Sequence, residues 1–333
     1  LNFSAPGKYT FRVVADDKQV FDIQSLVNEV DSNRLRSDLV FIQGIRHFST
    51  GLAHLNEARD SIRNLFQSAG LFFENQTFQF SSITGQNLIG SFPGTSSAEK
   101  VLIVDAHYDS DDNAPGADDN GSGTVGMMEI ARLLSRYPSK KTQRYIGFDL
   151  EESGLKGSID YVTNDIPAGE QVEGVFNFEM IGYWSDQPNT QILPPGFGFF
   201  FPVQSQAVAD NQYRGDFLTN VSNTNSHAFS LQFTAAAQQF VPELKIISLE
   251  VPGNGTQVAD LRRSDHAPFW DSGRNALMLT DGADFRNDCY HDPCDTLERL
   301  NFTFMFQVVK ATLAAMAQMV EIQHADWASA SFE

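Results

Sequence analysis

Short apolar runs recur along the chain, separated by stretches of helical periodicity. Val101 to Val104 is an unbroken run of β-branched residues and Leu, the pattern of a strand buried on both faces. Arg144–Leu150, Val172–Ile181, Leu244–Val251 and Ala276–Thr280 read the same way. Leu71–Phe80 alternates, and Gln86–Gly94 ends on a Pro-Gly turn, so two further strands precede the first long sheet helix. Helical patterns run over Arg34–Phe66, broken at Ser49-Thr50-Gly51 and with Gly70 as a C-cap beyond it, and from Thr124 to about Tyr137. Others cover Gly157–Val162, Val203–Thr219, a short turn at Asp265–Trp270 and the long amphipathic segment Leu297–Ile322. Residues 1–30 give no clear period beyond a hint at Val20, Ile23, Leu26 and Val27. Strands alternating with helices predict an α/β fold, a single three-layer domain whose mixed, mainly parallel sheet is flanked by helices. No repeat or composition break marks a second domain, so residues 1–333 are expected to form one unit, with 1–33 as an N-terminal extension packing on it.

Polarity switches abruptly where these strands should stop. His107 and Asp109 follow the first buried run, and the pair Asp118-Asp119 comes after a Pro115-Gly116 turn. Glu151-Glu152 ends the next strand, Glu179 sits near the end of another, and His291 lies in Tyr290-His291-Asp292-Pro293-Cys294-Asp295-Thr296. In open α/β sheets, ligands bind beyond the carboxyl ends of the strands, so these groups are placed to converge. Imidazole and carboxylate are ready zinc ligands. Two metals sharing one carboxylate need a bridging Asp, a His and a further carboxylate for each, and a free carboxylate as base; the inventory fits. Adjacent glutamates at the end of a buried strand are costly unless paired, which also argues for a functional role.

The chain carries 42 acidic and 23 basic residues, a formal charge of -19, which sets its field against nucleic acid and anionic membranes. No apolar run approaches the ~18 residues of a membrane span. The start, Leu-Asn-Phe-Ser-Ala-Pro, shows no leader and reads as a trimmed chain. Cys289 and Cys294 flank His291 and are read either as a local disulfide or as two free thiols.

The sequence resembles the co-catalytic dizinc aminopeptidase family, which includes secreted leucine-type aminopeptidases and has glutamate carboxypeptidase and glutaminyl cyclase as relatives. The resemblance runs from about Arg34 to the C-terminus. It rests on His-Tyr-Asp-Ser, Gly-Ala-Asp-Asp-Asn-Gly-Ser-Gly, Glu-Glu-Ser-Gly, Asn-Phe-Glu-Met-Ile-Gly, Ser-Asp-His-Ala-Pro-Phe and Tyr-His-x-x-x-Asp-Thr, in family order. It implies two Zn2+ per chain, with His107 and Glu179 on one, Glu152 and His291 on the other, and Asp118 bridging them. It implies that Glu151 is the general base that deprotonates the metal-bridged water, and that Asp109 orients His107. Asp265, His266 and Tyr290 are expected around the site or substrate pocket, with His266 not a ligand. Members carry Asp or Glu at the position of Glu179, which leaves the metal spacing open. The function implied is removal of N-terminal residues from peptides with a free N-terminus, by a secreted or periplasmic monomer; the Cys289–Cys294 bridge would suit an oxidising compartment. The rivals are a cyclase or carboxypeptidase of the same fold and a non-catalytic binding module. The cyclases depart from the Asp-Asp-Asn-Gly-Ser-Gly pattern, a carboxypeptidase would have only Arg262 and Arg263 to grip a C-terminus, and a binding module would be expected to lack ligands.

Overall fold

A computed structural model describes residues 21–323. The Val20 position and most of the expected N-terminal extension lie outside the described residues. The chain opens with α1 (Ile23–Val27), α2 (Ser32–Ile42) and α3 (Leu52–Ser68), followed by the hairpin β1 (Phe72–Phe80) and β2 (Ile83–Phe92). Asp22 and Asp31 cap the first two helices, each accepting from backbone N–H groups of the first turn. Then come β3 (Ser97–His107), α4 (Gly123–Leu134), β4 (Lys141–Phe148), α5 (Lys156–Asp160) and β5 (Gln171–Phe178). The second half holds α6 (Phe197–Phe200), α7 (Pro202–Asp210), β6 (Leu218–Asn223), α8 (His227–Phe240), β7 (Ile246–Val251), α9 (His266–Asp271), β8 (Ala276–Thr280) and α10 (Phe302–Met319).

The eight strands form one sheet in the order β1-β2-β4-β3-β5-β8-β6-β7. The centre, β4-β3-β5-β8, is parallel, while β1, β2 and the β8–β6 pairing are antiparallel. The fold is therefore α/β with a mixed sheet. Along β3 the side chains alternate between two cores: Leu102, Val104 and Ala106 pack under α1–α4, α8 and α10, and Val101 and Ile103 belong to the core that holds Tyr161 together with Phe269 and Trp270 of α9. That double burial is why β3 reads as a continuous apolar run.

The helix expected over Val203–Thr219 ends at Asp210, and the segment beyond it supplies β6 and then α8. β6 reads Leu-Thr-Asn-Val-Ser-Asn and is buried throughout. Asn220 Nδ2 reaches Ser230 of α8 and Asn223 Oδ1 holds the Ser226 N–H, although Asn220 Oδ1 and Asn223 Nδ2 find no partner; its polar residues are folded inside rather than exposed, and the strand carries no apolar period.

Candidate metal centre

The carboxyl ends of β3, β4 and β5 bring the polar segments together. His107 closes β3 and is fully buried. Its Nε2 lies 3.3 Å from Asp119 Oδ1, 3.4 Å from Glu179 Oε2 and 3.9 Å from Glu151 Oε2. On the other side, His291 Nε2 lies 3.1 Å from Asp119 Oδ2 and 3.0 Å from Glu152 Oε2. His107, Glu151 and Glu179 form one group whose ligand atoms all lie within 4.8 Å of one another, and Asp119, Glu152 and His291 form a second.

The shared carboxylate corrects one expectation: the position between the two imidazoles is held by Asp119, not Asp118. Both backbone N–H groups donate to the Asp295 carboxylate, at 3.0–3.2 Å, which pins the irregular turn Ala117–Ser122. In that turn Asp118 points away, accepting from the Gly182 N–H (2.9 Å) and from Asn287 Nδ2 (3.0 Å). Two adjacent aspartates in a turn of irregular dihedrals carry no periodicity from which the choice could be read.

The ligand-bearing turns are strained. Leu150, Met180 and His291 adopt left-handed φ values of 56°, 58° and 56° without being glycine, at a cost of about 1–3 kcal/mol each. Such conformations persist where the surroundings enforce them, and here they aim Glu151, Glu179 and the His291 ring at a common centre. Asp109 helps to hold the arrangement: its carboxylate accepts from the N–H groups of Glu151 and Glu152 at 3.2 Å each and stands 3.4 Å from His107 Nδ1. Ser264 donates to Glu179 Oε2 at 2.7 Å. Asp111 lies 3.7 Å from His291 Nδ1. Asp111 was not singled out in the sequence, because an acidic residue in an Asp-rich link carries no distinguishing spacing, and Ser264 stood there only as part of the Ser-Asp-His-Ala-Pro-Phe run without a role of its own.

Electrostatics follow from this crowding. Burial raises the Glu152 carboxyl to about 7, with Asp119 adding to the shift. Burial also pushes Glu151 well up, opposed by His107 and reinforced by Glu179 and Glu152. For Asp119 burial acts upward, but the two imidazoles outweigh it and hold the carboxylate well below its usual range. Burial acts downward on His291, yet Asp119 and Glu152 lift it to about 10.

The remaining expected residues are close by. Asp265 is wholly buried, its carboxyl lifted to about 7 by burial against the opposing charge of His107. His266 faces away from the cluster, its ring nitrogens 3.0 Å from Leu261 O and 3.3 Å from Asn177 Oδ1, and burial lowers it to about 3. Tyr290 stacks on His291 with ring centroids 3.8 Å apart, and its hydroxyl accepts from Arg263 at 3.1 Å. Cys289 and Cys294 are joined by a disulfide that spans His291. Arg262 pairs with Asp271 and Arg263 with Asp284.

Beside Glu179 and Tyr290 opens a pocket walled by Phe197, Val208, Phe217, Ile247, Leu249 and Met278. Its walls come from β6–β8 together with α6 and α7, the region whose strand the sequence conceals.

Whether metals fit can be judged from the unsatisfied atoms. Buried polar groups are ordinarily hydrogen-bonded, yet His107 Nε2, Asp119 Oδ2, Glu152 Oε1 and His291 Nε2 have no hydrogen-bond partner. Those atoms belong to the residues that converge, and a nitrogen-and-oxygen donor set of this kind suits zinc.

Comparison with known proteins bears on the same residues. The model of Peptidase family M28 matches residues 87–316. The uncharacterised protein YfbL of Escherichia coli is 30% identical over 274 residues, covering 79% of this chain and 80% of its own. Leupeptin-inactivating enzyme 1 of Streptomyces exfoliatus is also 30% identical over 274 residues, covering 76% of this chain but 52% of its own length. Among solved structures, BSAP, a zinc aminopeptidase from Bacillus subtilis, superposes with a TM-score of 0.56 at 26% identity, over 73% of this chain and 52% of that one. The chain thus spans most of YfbL and about half of the other two.

Proposed function

Because the chain belongs to peptidase family M28, we propose that it is a zinc-dependent aminopeptidase holding two ions, which releases N-terminal residues from peptides. The observation that carries this reading is the convergence of unpartnered imidazole nitrogens and carboxylate oxygens on both sides of Asp119. His107 and Glu179 would hold one ion, Glu152 and His291 the other, with Asp119 shared between them. When bound, the pair would supply Lewis acidity toward the scissile carbonyl and make a water acidic enough to lose a proton near neutral pH.

The chain's own groups supply the rest. Glu151, held by the strained turn after β4, takes a proton from the attacking water and returns it to the leaving amine as the C–N bond breaks. Asp109 fixes the tautomer and direction of the His107 ring while holding the Glu151-Glu152 turn by its N–H groups. The surrounding carboxylates attract the ammonium of a free N-terminus, and the apolar pocket beside Glu179 takes a hydrophobic first side chain. A secreted or periplasmic monomer is the setting we infer, since the Cys289–Cys294 disulfide favours an oxidising compartment. No helix among the described residues is long and apolar enough to cross a membrane.

The test is hydrolysis of a panel of aminoacyl chromogenic substrates before and after chelation. The expected result is chelator-sensitive release from free but not acetylated N-termini, fastest with Leu- or Phe-like side chains. Release from acetylated and free substrates alike, or none from either in the zinc-loaded protein, would contradict the reading.

A further inference from the structure

Arg46 is wholly buried and has no carboxylate in contact with it among the described residues. Every hydrogen bond of its guanidinium goes to a backbone carbonyl. Nε donates to Tyr108 (2.8 Å), Nη1 to Ile42 (2.9 Å), Gly44 (2.9 Å) and Pro115 (2.8 Å), and Nη2 to Gly116 (2.9 Å). The backbone joins the same two segments: Arg46 N donates to Ser110 Oγ at 2.9 Å, Ser110 N to Arg46 O at 3.2 Å, and Gly44 N to Pro115 O at 2.7 Å. One segment leaves α2; the other, 108–116, is the link between His107 and the turn that carries Asp119.

Gly116 shows how closely the parts fit. It has φ of 58°, and a Cβ there would lie 2.2 Å from Asp119 O and 2.9 Å from Arg46 Nη2. Glycine is what lets the guanidinium and the Asp119 turn meet. A buried cation ordinarily has a carboxylate partner in contact; this one is bonded only to carbonyls, and burial lowers it to about 10 while the more distant Asp295, Asp109, Asp119 and Glu152 act the other way. All four either flank the ions in the proposed centre or hold its turns.

We propose that Arg46 is a positioning residue of the metal centre: its five-carbonyl clamp sets the His107–Asp119 link in its ligating shape, and its unpaired charge offsets the carboxylates gathered there. It touches no reacting atom. The inference rests on the two-zinc reading above and is separable from it by experiment.

The test uses metal-stripped full-length protein, with zinc affinity measured by competition with a chromophoric chelator and the unfolding midpoint recorded alongside. Arg46→Met is expected to weaken zinc about 10- to 100-fold, the range typical of residues that orient ligands. Arg46→Lys, which keeps the charge but not the planar fork, is expected to recover part of that loss. Arg144→Met is the control: Arg144 is a largely buried arginine on β4 that pairs with Glu170 and Tyr161, and its loss should lower the midpoint while leaving zinc affinity within about twofold of wild type. An Arg46→Met protein that binds zinc as wild type does, or an Arg144→Met protein that loses zinc equally, overturns the proposal. If Arg46→Met does not fold, Arg46→Lys decides alone, with weakened zinc at a near-normal midpoint expected and unchanged zinc contradicting. Wild-type protein that takes up no zinc contradicts the two-metal reading itself.

Discussion

The two sides of the candidate centre are built differently. His107 has no exposed surface and sits at the end of a central parallel strand, with Asp109 and Glu179 bound into the same scaffold. The His291 side chain is 33% exposed, lies on an irregular loop in a left-handed conformation, and is flanked by a disulfide. One half is fixed by the sheet, whereas the other depends on a covalent strap and on Tyr290 stacked against the ring. The difference teaches where the centre is preformed: the strand-borne half should keep its shape without metal, and the loop-borne half should depend on metal and bridge to hold it.

The largest effect expected concerns the group that both halves serve. Glu151→Gln should lower turnover by about 10²- to 10⁴-fold, the usual contribution of a general base, while zinc content stays near two per chain. Loss of zinc with activity would make Glu151 a ligand and move it into the buried half. Next, His107→Ala should cost several kcal/mol of stability in the metal-free protein, about 3–5 where a buried charge loses its partner, and should remove zinc as well. His291→Ala should lose zinc with a far smaller change in unfolding midpoint. Equal stability losses in the two variants would erase the distinction between the halves.

The α/β fold and much of the buried half were legible in the sequence; β6 and the choice of shared aspartate were not. β3 announces itself because both its faces are buried, and His107, Glu151-Glu152 and Glu179 stand where apolar runs stop. The choice between Asp118 and Asp119 was not legible: it is settled by Asp295, far along the chain, gripping both N–H groups, with the Asp118 carboxylate buried against Gly182 and Asn287 instead. β6 was hidden for a related reason, since its Asn and Ser side chains are buried and bonded in part by α8 and neighbouring turns rather than exposed to solvent. With it went the wall of the apolar pocket. Arg46 looks in the sequence like any loop arginine, and only the carbonyls brought around it mark it out.

Titration should sharpen the contrast further. In the metal-free protein His291 keeps its proton up to about pH 10, and Glu152 does so to about 7; zinc must displace both protons when it binds below those values. Zinc affinity on the loop-borne side is therefore expected to rise about tenfold per pH unit for each proton displaced: two protons below about pH 7, one between pH 7 and 10. Calorimetry in buffers of different ionisation enthalpy measures the release, and no proton release at pH 7 would contradict this. The smallest effect is that of the disulfide. Reduction of Cys289–Cys294 should weaken zinc on the His291 side by less than about tenfold and leave the other ion in place, read as the loss of one of two bound ions at limiting chelator. Thiol titration that finds two free cysteines in the native protein would end that part of the account.

The central claim is a two-metal centre bridged by Asp119, and the most direct test is zinc stoichiometry in Asp119→Asn beside Asp118→Asn. Asp119→Asn is expected to fall from about two zinc ions per chain to one or fewer, because one of the two carboxylate oxygens that face the two imidazoles is replaced by an amide nitrogen, while Asp118→Asn retains both. Two ions in Asp119→Asn, with loss in Asp118→Asn instead, would contradict it.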